Sequence, residues 1–153
     1  MSTLSPAENR AYEWMARQGV PLMRISIGVV FFWFGIQKFF PGVSSAEDLA
    51  SRTIAVMSFG LMQPAVSMPL LAAWEVFLGV TFITGKLLRF AIPLLFLQMI
   101  GTVTPLFFFP DETFNQAPFL PNLVGQYIIK NLVLVSGAMI VGAYYNGMAI
   151  RRS

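Results

Sequence analysis

Apolar residues fill four long runs along the chain, at about 21–40, 67–85, 88–109 and 123–145. Each is long enough to cross a bilayer, which takes roughly 20 apolar residues in helical form. Periodicity alone does not separate a span from a buried helix of a soluble protein. The length of the chain does: with 153 residues, too little polar sequence remains to cover four such helices. The pattern predicts an all-α, integral membrane four-helix bundle occupying 1–153 as one domain. The first run is expected to stay as an anchor, because Gln37 and Lys38 follow it directly with no small-residue cleavage site before them.

Two shorter segments are expected at the interface. Ser5-Pro6-Ala7-Glu8 offers an N-cap, a first-turn proline and a capping-box glutamate. A short helix should run from there to about Gln18 and stop at Gly19, separate from the first span. Ser44-Ser45-Ala46-Glu47-Asp48 should start a second one, running to about Ser58 and lying flat between the first two spans. The proline-rich stretch 110–121 reads as irregular.

Composition sharpens the picture. Hydrophobic residues make up 56% of the chain and charged ones only 11%, against about 25% charged in a soluble domain. The mean hydropathy is +0.69. The net charge of +3 comes with no basic run interleaved with aromatics, so nucleic acid is not an expected partner. Lys and Arg counts give an orientation. Arg10, Arg17, Arg24, Lys86, Arg89, Arg151 and Arg152 would share one side, against Lys38 and Arg52 on the other. Both termini are therefore expected in the cytoplasm, with the protein in a membrane such as the bacterial inner membrane.

The chain has neither cysteine nor histidine. Thiol redox chemistry, iron–sulfur ligation and the usual haem, zinc and copper sites are thereby excluded. No covalent or metal cofactor is expected, and any electron chemistry must sit on a bound molecule, a quinone for instance, or on a partner.

The candidate chemistry lies in charges inside the spans. Residues three, four and seven apart share a helix face. On the first span Arg24, Gly28, Phe31, Gly35 and Lys38 do so; on the second Glu75, Gly79, Phe82 and Lys86; on the fourth Gln126, Lys130, Val133 and Gly137. Glycine lets membrane helices approach, and polar side chains face the bundle. These stripes are therefore expected to point inward. At the helical rise, Glu75 would lie about 12 Å and Lys130 about 10 Å below the outer surface, which predicts a Glu75–Lys130 pair. Lys38, Thr102, Gln126 and Asn131 complete the expected polar cluster. Trp74, Gln98 and Tyr127 are candidate pocket lining, and Arg24, Lys86 and Arg89 are expected anchors at the inner interface.

Leu22-Met23-Arg24-Ile25-Ser26-Ile27, Phe34-Gly35-Ile36-Gln37-Lys38-Phe39, Glu75-Val76 with Gly79, Thr104-Pro105-Leu106, and Lys130-Asn131 with Gly137-Ala138 occur in this order. On these residues, across about 22–143, the chain resembles the DoxX-like superfamily of small four-helix membrane proteins. It is most similar to the branch holding the inner-membrane component of the reactive-chlorine-resistance system. The resemblance implies an association with redox processes and functional weight on Arg24, Lys38, Glu75 and Lys130. Three functions fit: a non-catalytic accessory subunit of a membrane redox or respiratory complex, with a quinone or lipid pocket near Glu75 and Lys130; a quinone-reactive oxidoreductase subunit; or a small oligomeric proton or solute transporter. The expected partners are membrane lipids and either other subunits of such a complex or further copies of the chain.

Overall fold

A computed structural model describes residues 5–148. Its helices are α1 (Pro6–Gln37), α2 (Glu47–Met57), α3 (Pro64–Thr84), α4 (Leu88–Val103), α5 (Pro105–Phe108), α6 (Pro110–Thr113) and α7 (Leu123–Tyr145), with a two-stranded antiparallel pair, β1 (Phe114–Gln116) and β2 (Leu120–Pro121), before α7. Four helical stretches are long and apolar enough to cross a membrane: α1, α3, α4 continued through α5, and α7. Arg151 and Arg152, counted above for orientation, lie outside the described residues.

The N-terminal helix and the first span are one element, not two. Ser5 caps α1 with the expected box: its Oγ accepts from the Glu8 N–H at 3.3 Å, and Glu8 accepts from the Ser5 N–H at 2.7 Å. The helix then runs through Gly19 and Pro21 without a break. A glycine ends a helix by turning left-handed, and Gly19 is not among the positive-φ glycines. Pro21 removes one intrahelical hydrogen bond, which the flanking turns tolerate. The 110–121 connection also differs from expectation. It is not irregular but folds into a helical turn and a small β-pair, with Thr113 buried beneath it.

α1 and α3 pack antiparallel with their backbones almost in contact. A Cβ on Gly79 would stand 2.5 Å from the Phe32 amide nitrogen, and one on Gly35 would stand 2.7 Å from the Glu75 Cβ. Only glycine permits this approach, and close approach is what holds helices together where lipid removes the hydrophobic drive. Ile27, Phe31, Leu78, Phe82, Ala91, Leu95, Ala138 and Val141 form the core between α1, α3, α4 and α7. At one end of this core the Arg24 guanidinium donates to the Phe82 and Ile83 carbonyls, at 2.6 and 2.9 Å, and to the Tyr145 hydroxyl at 3.0 Å. Those carbonyls belong to the last turn of α3, which has no intrahelical donors for them. The cation therefore satisfies the C-terminus of a neighbouring helix.

At the other end α1 stops early. Gly35, two residues from its end, already faces Glu75, which lies halfway along α3. α3 runs on for about 16 Å past that level. α2 occupies the space left open, packing against α3, α4 and α5.

Candidate functional site

Glu75 is held by two side chains. Its Oε2 accepts from Lys38 Nζ at 2.6 Å, and its Oε1 accepts from Gln98 Nε2 at 2.8 Å. Lys38 caps the C-terminus of α1 and also donates to the Phe34 carbonyl at 3.2 Å. The two charged side chains are about nine-tenths buried. A carboxylate inside a membrane bundle is tolerable when its charge is matched and each oxygen is hydrogen-bonded, and both conditions are met here.

The pair differs from the one the depth estimate predicted. Lys130 is exposed on the outside of α7, its ammonium 5.1 Å from the centre of the Tyr127 ring. Gln126 is exposed and donates to the Pro121 carbonyl at 3.4 Å. The buried face of α7 is Gly125, Ile128, Gly137, Ala138 and Val141, so Gln126, Lys130 and Val133 point outward. The reason lies at the start of the helix. Gly125 packs directly under the Thr113 carbonyl, and this contact fixes the rotation of α7 about one residue away from the polar stripe. Lys130 is near enough to the helix end for its stem to carry the ammonium toward the interface.

Beside the Lys38–Glu75 pair lies a cavity of about 510 Å³. One wall is the apolar face of α2, with Leu49, Ile54 and Met57; opposite stand Leu70, Leu71 and Trp74 of α3, and Leu97 and Gly101 of α4. Lys38, Glu75, Gln98 and Thr102 all line it, and the Thr102 hydroxyl donates back to the Gln98 carbonyl at 3.1 Å. Of the expected site residues, the fold thus gathers Lys38, Glu75, Thr102, Trp74 and Gln98 around one cavity. Gln126, Lys130, Asn131 and Tyr127 do not line it. Arg24 lies at the far end of the α1–α3 pair, while Lys86 and Arg89 are exposed at the α3–α4 turn.

Ser67 and the inner face of α2 were missed by the sequence reading. Ser67 is 1% exposed and lines the cavity; at position 67 it read as the edge of a span. The α2 face could have been found from its spacing, since Ala46, Leu49, Ala50, Thr53, Ile54 and Met57 recur at helical intervals. Three buried polar atoms lack a hydrogen-bond partner among the described residues: Ser67 Oγ, Trp74 Nε1 and Gln98 Oε1. All three belong to cavity-lining side chains.

α2 is tied down on its outer side. Arg52 donates to both Glu112 carboxylate oxygens, at 2.6 and 2.5 Å, and to Asp48 Oδ2 at 3.0 Å, with its guanidinium 5.0 Å from the Phe109 ring centre. The guanidinium holds Glu112 below the usual carboxylate range, and the Glu112 bond raises Arg52 in turn.

Four apolar helices around a buried ion pair and a largely apolar cavity define a small polytopic integral membrane protein. The DoxX family profile matches residues 19–110, and the chain belongs to the DoxX family. Neither a curated protein nor a solved structure matches it. The matched residues contain Lys38, Glu75, Gln98 and every cavity-lining residue except Ile128, while Lys130 falls outside them.

Proposed function

We propose that this DoxX protein is a non-catalytic accessory subunit of a membrane redox or respiratory complex, and that its cavity holds a quinone or a lipid. It would sit with both termini in the cytoplasm, in a membrane such as the bacterial inner membrane, with the cavity in the outer half. The observation that carries the reading is the cavity itself: a largely apolar chamber with the Lys38–Glu75 ion pair, Gln98 and Thr102 on its wall. Ligand sites are typically about 300–1,000 Å³, mainly apolar, with a few polar groups that fix orientation. Without cysteine or histidine, the chain has no thiol or imidazole of its own for electron transfer, which supports a role beside a redox partner.

The residues fit a quinone. Leu49, Ile54, Leu70 and Leu97 offer apolar surface to a ring and tail. Lys38, Glu75 and Thr102 line the same space and offer polar contacts to ring oxygens. A bound quinone would supply a carrier of two electrons and two protons. Lys38 and Glu75 would keep the wall polar and neutral. A quinone-reactive subunit is the second reading, favoured by one feature: the Glu75 carboxylate lines the cavity itself.

The test is purification of the tagged protein from its native membranes in mild detergent, with mass spectrometry of what accompanies it. A stoichiometric oxidoreductase or cytochrome is the expected result. Recovery of the chain without any redox protein, across several mild detergents, would contradict the accessory role.

A further inference from the structure

We infer that the cavity fills sideways, from the hydrocarbon of the leaflet beneath α2, and that its ligand is a long-tailed amphiphile with an uncharged polar head. The head sits beside Lys38 and Glu75, and the tail leaves past Met57, Leu70 and Leu97 into the membrane. This rests on the reading of the cavity as a ligand site and adds the route of entry and the class of head group.

The cavity is not sealed. Its lining is exposed at four residues, Ala46, Met57, Leu70 and Leu97, and all four are apolar. Depth separates them. Ala46 lies at the start of α2, beside Glu47 and Asp48. Leu97, 55% exposed, lies near the middle of the 88–108 span. Leu70, 54% exposed, lies about 9 Å inside the end of α3. Met57 Sδ stands 3.8 Å from where a Cβ on Gly101 would be, about one turn of α4 from Leu97. The opening at these three residues is therefore at the depth of acyl chains, where water is absent.

The charged lining is the buried part: the Lys38 and Glu75 side chains are 8% and 10% exposed. Their charges cancel, and no other lining residue is charged, so a charged head would stay unmatched. An uncharged head is served by both. Of the three N–H donors of an ammonium, the Phe34 carbonyl and Glu75 occupy two. Of the roughly four acceptor sites of a carboxylate, Lys38 and Gln98 occupy two.

The test is photo-crosslinking of the full chain in liposomes with hexadecanol carrying a diazirine halfway along its tail, mapped by mass spectrometry. Adducts on Met57, Leu70 and Leu97 are expected, competed away by excess hexadecanol or a decyl-substituted benzoquinone. Adducts on the outer face of α7, at Leu132 and Val133, should not be competed. The stronger competitor tells a lipid alcohol from a quinone as the preferred head. The same photoreactive tail with a sulfate or a trimethylammonium head should give about tenfold less competed labelling. Leu97→Trp should reduce it several-fold, and Leu132→Trp should not. Competed adducts around Ala46, with none at Leu70 or Leu97, would overturn the sideways entry and leave the cavity reading standing. Equal competed labelling by a charged head would overturn the head class alone. Labelling that neither competitor reduces anywhere in the lining would overturn both readings. The adduct map of the unaltered protein decides the matter even where a variant fails to fold.

Discussion

Glu75 sits inside the bundle because Lys38 comes down from the end of α1 to meet it. Removing one partner of a buried pair strands the other charge, at about 3–5 kcal/mol, while removing both is often nearly neutral. Glu75→Gln is therefore expected to destabilise the protein strongly. Adding Lys38→Met should restore much of the loss, and adding Lys130→Met should restore none. Thermal unfolding in detergent of the single and double variants checks this; rescue by the Lys130 change instead would contradict the observed pairing. The sequence made both cations visible but not the choice between them. The depth estimate put Glu75 about 12 Å in by starting its helix at 67, whereas α3 begins three residues earlier, at Pro64, which sets Glu75 deeper, at the middle of the helix. Lys38 was expected in the same polar cluster, but a first span running to about Phe40 set it shallower than Lys130. In the structure the helix ends at Gln37, with Gly35 already level with Glu75.

At the scale of elements, glycine stripes were read correctly where they face another helix. Gly28, Phe31 and Gly35 of α1 and Glu75, Gly79 and Phe82 of α3 are all buried. The same logic failed on α7, whose rotation is set by a tertiary contact, Gly125 under Thr113, that no periodicity within the helix contains. The role of α2 was only half legible: its amphipathic pattern was plain, its position over the cavity was not. Its outer tie carries a pH dependence. Glu112 is held below its ordinary value of about 4.3 by Arg52. The contribution of the Arg52–Glu112 contact is therefore fully present above that ordinary value, and it is lost as pH falls through the lower, folded-state value. Asp48 shares the guanidinium but is largely exposed, so it should add little. A spin-label distance between α2 and α6, followed from pH 7 down to about pH 3, is expected to broaden at the acid end. Arg52→Gln should be broad throughout; a wild-type distance unchanged over the whole range would show that the tie does not hold α2.

For the molecule as a whole, four spans were legible from hydropathy because bilayer thickness sets their length. The cavity was not, because it arises from a mismatch between elements: α1 ends halfway up α3, and α2 roofs the gap without filling it. The central claim is that this chamber holds a small molecule in the working protein. Gly101 lines it, and a Cβ there meets only Met57 Sδ, at an ordinary 3.8 Å, so a larger side chain can grow into the space without disturbing the backbone. The most direct test is native mass spectrometry of the protein released from its own membranes, unaltered and as Gly101→Leu. The unaltered protein is expected to carry one small amphipathic molecule per chain, and the equally folded variant to have lost it. A bare unaltered protein, or the same load on both, would contradict the claim.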